Sequence, residues 1–212
     1  MYHLGIGEVV AVSTITRANE SRTFQIYEDL AMLLIKEAKQ LYVLDDRLEV
    51  SLKGNVFAID ATTIDLCLSA FCWATFKSTK GGTKLHTQLD LKTAIPESVL
   101  FSTASVHEVN VLDVIHFGHN SYYIMDRGYV DYKRLYKINT SEAIFVTRAK
   151  DNTNCRRVYS HPKDIASGVL YDQSIVLNNY CASKYYPIKM RRIKFKDAQT
   201  GKILIFLPTT LI

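Results

Sequence analysis

Two short apolar runs each end on an aspartate: Val56-Phe57-Ala58-Ile59 precedes Asp60, and Tyr122-Tyr123-Ile124-Met125 precedes Asp126. Runs of this length are too short for helices, and unbroken apolar residues without alternation read as strands buried on both faces. With 212 residues, 48% hydrophobic and 22% charged, the chain has the composition of a folded protein and the length for a sizeable core. One large domain, or one carrying a smaller insertion, is the expectation.

The remaining elements follow from spacing. After Tyr27, residues Leu30, Ala31, Leu34, Ala38 and Leu41 recur at helical intervals and predict an amphipathic helix over 21–42, capped by Asn19 or Ser21. Val56-Phe57-Ala58-Ile59 reads as a strand ending near Asp60. Lys80-Gly81-Gly82-Thr83-Lys84 reads as a turn between extended segments at 70–77 and 84–91. It lacks the Gly-x4-Gly-Lys-[Ser/Thr] spacing of a phosphate-binding loop. Further strands are predicted at 95–103, 122–125 and 143–147, with helices at 107–117 and 129–138. This succession of strands and helices predicts an α/β (α+β) fold, a mixed sheet flanked by helices. After Lys150 the pattern changes to strand-like pieces at 155–160, 168–177, 185–196 and 202–207, which read as a β-rich insertion. The expected organisation is a helical segment over 1–50, a core over 51–150 and the β-rich end over 151–212.

Apolar stretches such as Ala31 to Ile35 and Ile203 to Leu207 fall far short of the roughly 18–20 residues of a membrane helix. Residues 1–30 lack the basic start, apolar block and cleavage site of a signal peptide, so no membrane association and a cytoplasmic location are expected. The cysteines at 67, 72, 155 and 181 form no Cys-x-x-Cys pair and read as reduced, mostly buried thiols rather than a zinc or disulfide framework. Charge divides unevenly. Residues 1–126 hold 10 Lys and Arg against 15 Asp and Glu, whereas 127–212 hold 16 against 6. A basic second half suits a polyanion, because cations that neutralise phosphates release counterions; a solvated basic face is the competing reading.

The aspartates that end the two apolar runs carry the chemistry. Ligand sites of open sheets lie at strand ends. If the strands are neighbours, their carboxylates converge, and two anions at close range are costly without a cation between them. Oxygen-preferring Mg²⁺ or Mn²⁺ suits such a pair. Judged by spacing alone, an Asp after a strand is more often a turn former or helix cap. Asp65, five residues beyond Asp60, competes for the first position, while Asp126 is better marked by the Arg127-Gly128 that follows it.

Several ordered motifs together carry a family resemblance. They are Asp60-Ala61-Thr62-Thr63-Ile64-Asp65-Leu66, Trp73-Ala74, Lys84-Leu85-His86, Ile95-Pro96, Asp126-Arg127-Gly128-Tyr129 and Phe145-Val146-Thr147-Arg148-Ala149-Lys150. Their order and spacing resemble the catalytic domain of bacterial IS4-family DDE transposases. Upstream, Tyr2-His3-Leu4-Gly5 and Arg17-Ala18-Asn19-Glu20 resemble the segment that precedes that domain. The resemblance implies an RNase H-like fold with a β-rich insertion, in which Asp, Asp and Glu hold two metal ions, Mg²⁺ or Mn²⁺. It implies DNA transposition, cutting and rejoining DNA at the ends of an insertion sequence. Asp60 matches the family's first aspartate and Asp126 its second, which makes both the implied catalytic residues and metal ligands. The implied partners are DNA at the element's ends and at the target, and a second copy or a full-length transposase. The implied location is the bacterial cytoplasm, at the nucleoid.

The chain departs from the family pattern at its end. The family's glutamate lies in a Tyr-x2-Arg-x3-Glu-x6-Lys helix after a Phe-Leu-Thr-Asn-like strand, whereas Phe206-Leu207-Pro208-Thr209-Thr210 is followed here by Leu211 and Ile212. No residue matches the third carboxylate, and Met1 falls in the middle of the family pattern, so a catalytic-domain fragment is expected. The alternative function is a non-catalytic remnant that binds DNA through its basic half or associates with an intact transposase. Lys84, His86, Arg127, Arg148 and Lys150 are the candidates for holding the phosphate backbone. The competing readings are solvated charges for Lys84 and Lys150, a hydrogen-bonded core histidine for His86, and a structural ion pair for Arg127. His107-Glu108 stands where the family often has His-Asp at a helix start, and Glu108 reads as a carboxylate facing the helix dipole. His116 and His119 read as part of a solvated loop.

Overall fold

The computed structural model describes residues 10–23, 25–42, 47–48, 52–67, 75–77, 80–164 and 166–209. Tyr2-His3-Leu4-Gly5, Cys72 and Trp73-Ala74 lie outside the described residues. The chain divides into two compact units, 1–44 and 45–212. In the first, α2 (Gln25–Leu41) is the helix predicted over 21–42, and a further helix, α1 (Val12–Ser21), precedes it. The backbone turns extended at Arg22. The Thr23 hydroxyl accepts the Gln25 N–H at 3.4 Å, taking the capping place expected of Asn19 or Ser21, which belong to α1.

In the second unit β1 (Val56–Leu66) runs well beyond Asp60, correcting the expectation that it ends there. The reason lies in its two neighbours. β5 (Tyr122–Met125) pairs parallel with β1 only as far as Ile59 opposite Met125. The β-branched Thr62-Thr63-Ile64 continues antiparallel to β3 (Lys80–Asp90). Gly81 and Gly82 belong to β3 and face Leu66 and Asp65, so the expected turn at 80–84 is extended strand. A Cβ on Gly82 would lie 3.1 Å from the Ala104 methyl and 3.3 Å from the Ile64 carbonyl oxygen; glycine here permits close packing of neighbouring backbone. The short β2 (Thr75–Lys77) and β4 (Pro96–Thr103) also pair with β3.

Beyond β5, β6 (Ile144–Arg148) adds a second parallel pairing. The path β4-β3-β1-β5-β6, antiparallel up to β1 and parallel after it, is the RNase H-like mixed sheet that the resemblance implies. β10 (Ile203–Pro208), β9 (Met190–Lys196), β8 (Val169–Leu177) and β7 (Cys155–Ser160) extend the same sheet, all antiparallel. A partly buried pair between Arg191 and Asp172 ties β9 to β8. The hydrogen bonds from Arg191 hold the Asp172 carboxyl below the usual carboxylate range.

One sheet face carries the core. Side-chain alternation puts Phe57, Tyr123 and Phe145 in one row and Ile59, Met125, Thr147 and Leu207 in the next, all of them buried. α3 (Tyr132–Thr140) is capped by Asp131, which accepts the Arg134 N–H at 3.0 Å, and it buries Leu135 and Ile138 in that cluster. The expected helix at 107–117 is instead a short 3-10 helix, Glu108–Asp113, whose Val111 and Leu112 reach the core. Its β-branched Val109 and Val111, with Val114 and Ile115 just beyond, disfavour longer helical continuation. The strand expected over 185–196 begins only at Met190. Before it, Tyr180–Tyr185 forms α4, capped by Asn179 through the Cys181 N–H at 3.1 Å. α4 stops where Tyr186 precedes Pro187.

The opposite face presents Ala58, Ile124, Val146 and Phe206, and these line a shallow groove. Cys67 and Cys181 are exposed and Cys155 is half-buried, which corrects the expectation of mostly buried thiols. Among the described residues, no helix is long and apolar enough to cross a membrane.

Candidate active site

Asp60 and Asp126 converge because their strands are neighbours. In the register Ile59 opposes Met125, so the next residue on each strand is one of the two aspartates. Both are exposed, and both line a groove of about 320 Å³ together with Ala58, Ile124, Val146, Phe206 and Arg148. Asp126 is also the cap of a short 3-10 turn, Arg127–Tyr129: its Oδ1 accepts the Gly128 N–H at 2.8 Å. The Thr147 hydroxyl donates to the Asp126 carbonyl at 2.9 Å, fixing the backbone from β6. Asp65 stands farther along β1, opposite Gly82, and does not line the groove.

The five expected phosphate contacts fall into two sets. Arg127, Arg148 and Lys150 meet in a second groove, of about 400 Å³, where Arg192 and Lys194 of β9 join them. Arg127 pairs with Asp151 at 3.3 Å, and Lys150 donates to the Val130 carbonyl at 3.0 Å. Arg148 belongs to both grooves and so connects the aspartates with the basic cluster. Lys84 and His86 lie elsewhere, on β3 and buried, with 9% and 4% exposure. Lys84 donates to the Val106 carbonyl at 2.9 Å and pairs with Glu108 at 3.4 Å. His86 Nε2 shares a hydrogen bond with the Ser102 hydroxyl at 2.8 Å, while its Nδ1 is buried without a partner. His119 pairs with Glu142 at 2.6 Å on the surface.

Burial, then the neighbouring Lys84 charge, lowers the His86 pKa. The folded protein therefore resists protonation that the unfolded chain accepts. Stability is expected to fall as pH drops below about 6.5, the unfolded value for histidine, and to level off once pH passes below the folded value. Urea titrations of wild type and His86→Gln between pH 5 and 7.5 test this: the slope should be shallower in the variant, and equal slopes would refute it.

Tyr129 follows Gly128 and is fully buried, and its hydroxyl has no hydrogen-bond partner. Burial, followed by the charges of Glu108, Asp60 and Asp126, raises its pKa far above the usual phenol range. Carboxylate oxygens suit a hard divalent cation, and Asp60 and Asp126 offer them from two strands. Among the described residues, no three His, Cys, Asp or Glu side chains are grouped to hold a metal ion together.

Sequence reasoning missed Arg192 and Lys194. The alternation of Arg192, Lys194 and Lys196 along β9 was the available signal for a basic strand face.

Residues 51–203 match the family described as "Transposase DDE domain". Over 152 residues the chain is 30% identical to the Sinorhizobium fredii protein named "Putative transposase y4zB", covering 69% of this chain and 42% of that protein. The chain therefore spans less than half the length of this relative. Among solved structures, the NurA nuclease from Sulfolobus solfataricus aligns at a TM-score of 0.37 and 9% identity, over 95% of this chain and 82% of that one.

Proposed function

We propose that this chain, which belongs to the transposase DDE domain family, acts in metal-dependent cleavage and transfer of DNA strands at insertion-sequence ends. The observation that carries the reading is the meeting of Asp60 and Asp126 at the ends of a parallel strand pairing, in a groove joined through Arg148 to a five-cation cluster. Mg²⁺ or Mn²⁺ held by the two carboxylates would stabilise charge on the scissile phosphate and activate its attacking hydroxyl. The chain's own residues do the rest. Arg127, Arg148, Lys150, Arg192 and Lys194 hold the backbone of the DNA across the groove, and Thr147 keeps the Asp126 carbonyl, and with it the turn, in place. Lys84 acts from beneath, paired with Glu108, and His86 holds the neighbouring strand through Ser102. Membership of the IS4 group is supported by the order of the motifs, and a cytoplasmic, nucleoid-bound protein working as more than one copy fits the substrate.

A second reading, a non-catalytic DNA-binding remnant, is favoured by the lack of a three-ligand metal grouping among the described residues. One experiment separates the two. Binding of the 212-residue chain to a labelled duplex is followed across a salt series, and nicking is assayed with and without Mn²⁺. Five phosphate contacts predict a slope of log K against log[salt] of about −4 to −5, which Arg148→Ala reduces by about 1. The enzymatic reading expects Mn²⁺-dependent nicking that drops at least about 100-fold in Asp60→Asn and Asp126→Asn while binding persists. Binding without nicking favours the remnant, and no binding at low salt overturns both.

A further inference from the structure

The connection from β6 to β7 is a ridge with a cleft on each side. Asp151 and Thr153 line the basic groove, whereas Asn152 and Asn154 line a separate pocket of about 320 Å³; Lys150 borders both. The ridge is held in shape by its backbone. The Thr153 N–H and hydroxyl both donate to the Lys150 carbonyl, at 3.0 and 2.7 Å, and the Asn178 N–H donates to the Asn154 carbonyl at 3.1 Å. Across the pocket stand Asn179 and Tyr185, the cap and last residue of α4. The charged groups of the pocket are engaged: Lys150 donates to the Val130 carbonyl at 3.0 Å, and Asp131 accepts the Arg134 N–H at 3.0 Å and lies 3.4 Å from its guanidinium. The amide NH2 groups are not. Among the described residues the Asn152 side chain makes no hydrogen bond, while Asn154 and Asn179 use only their oxygens, on Asn178 Nδ2 and the Cys181 N–H. Beside them the Tyr185 side chain is 48% exposed. An anion finds no free cation here, and an apolar ligand would strand the amides. A flat group with a hydrogen-bonding edge and a π face suits both kinds of wall, since Asn amides bond base edges and unstacked bases stack on aromatic rings.

We propose that this pocket takes one unpaired nucleobase of the DNA whose backbone lies in the basic groove, so that a single nucleotide straddles the ridge at 150–154. The inference rests on the reading of the basic groove as the track for DNA phosphates. On one side the phosphate meets Arg127, Arg148, Arg192 and Lys194. On the other the base edge accepts from Asn152, Asn154 and Asn179, and its face lies on Tyr185. The pocket is concave, so a base enters it only after leaving the duplex stack. Phosphate contacts alone carry no sequence information; the amide pocket gives this chain a preference for DNA with an unpaired base beside the contacted backbone.

The test compares two labelled duplexes by fluorescence anisotropy on the full chain: one carries a single unpaired guanine, whose O6 and N7 accept from such donors, and the other an abasic residue at the same place. The guanine probe is expected to bind about tenfold tighter. Tyr185→Ala and Asn152→Ala are each expected to remove most of that ratio, whereas Arg148→Ala weakens both probes together and keeps it. Both pocket variants change exposed side chains, and Asn152 holds no structural hydrogen bond, so Asn152→Ala decides if Tyr185→Ala does not fold. Equal affinity of wild type for the two probes overturns the proposal and leaves the phosphate track standing. A ratio that survives in both pocket variants also overturns it, because the base is then held elsewhere. If free deoxyguanosine monophosphate displaces the guanine probe at equal concentration, the pocket serves a free nucleotide and the proposal fails. If neither probe binds at low salt, the underlying DNA reading fails with it.

Discussion

Phe145→Ala is expected to lower the unfolding free energy by about 3–5 kcal/mol, the usual cost of emptying a large aromatic site in a packed interior. Phe145 has no exposed surface and sits near the start of β6, paired with Tyr123 of β5 and hydrogen-bonded to Thr209 just after β10. It faces Tyr186 edge-on with ring centroids 6.1 Å apart, so its loss also removes a quadrupolar contact. Few routes exist to refill the space. The backbone on either side is fixed by strand pairing, and the nearby Leu135, Ile138 and Leu207 are themselves fully buried. Against a typical total of about 5–15 kcal/mol, the variant should populate unfolded chain at room temperature. Urea titration followed by tryptophan-independent circular dichroism measures it, and a loss below about 1 kcal/mol would mean that the core rearranges in a way close packing does not allow.

Gly54→Ala is the second large effect, and its cause is backbone rather than core. Gly54 has φ +96°, and a Cβ there would fall 2.1 Å from the Asn120 carbonyl oxygen. An L side chain meets both a strained conformation, about 1–3 kcal/mol, and an overlap that only movement of the chain relieves. The site of that movement matters. Gly54 lies two residues before β1 and Asn120 two residues before β5, and the Tyr122 N–H donates to the Asn55 carbonyl at 2.8 Å. Pushing these starts apart disturbs the parallel register that brings Asp60 beside Asp126. A loss of about 3 kcal/mol or more is expected, together with weaker Mn²⁺ binding; a variant as stable as wild type would show that the two strand starts are free to separate.

The sheet was readable because a strand buried on both faces leaves an unbroken apolar run, as at Val56–Ile59 and Tyr122–Met125. The two aspartates were readable for the same reason, since each closes such a run. The pair between Lys84 and Glu108 was not, because its two members are far apart in sequence and meet only in the fold. The glycines at 81 and 82 misled because a turn and a close approach between strands require the same residue, and only the neighbours decide. Likewise β1 past Asp60 is polar on the surface that lacks a parallel partner, so its continuation leaves no apolar trace. Lys84 shows the limit of residue type as a guide: a lysine in a basic motif reads as a surface charge, yet here a carbonyl and a carboxylate hold it under the sheet.

The central sheet closes only when its last strand arrives. β6 is complete at Arg148, but the strand that covers its open edge, β10, begins at Ile203. On a ribosome adding about 5–20 residues per second, that edge waits on the order of 3–10 s with its N–H and C=O groups unpaired. During that interval any extended segment, including β6 or β10 of a neighbouring nascent chain, has the pairing geometry to take the place. Synthesis speed through residues 149–202 and the availability of chaperones therefore set the yield of correctly closed protein, independently of how stable the finished sheet is.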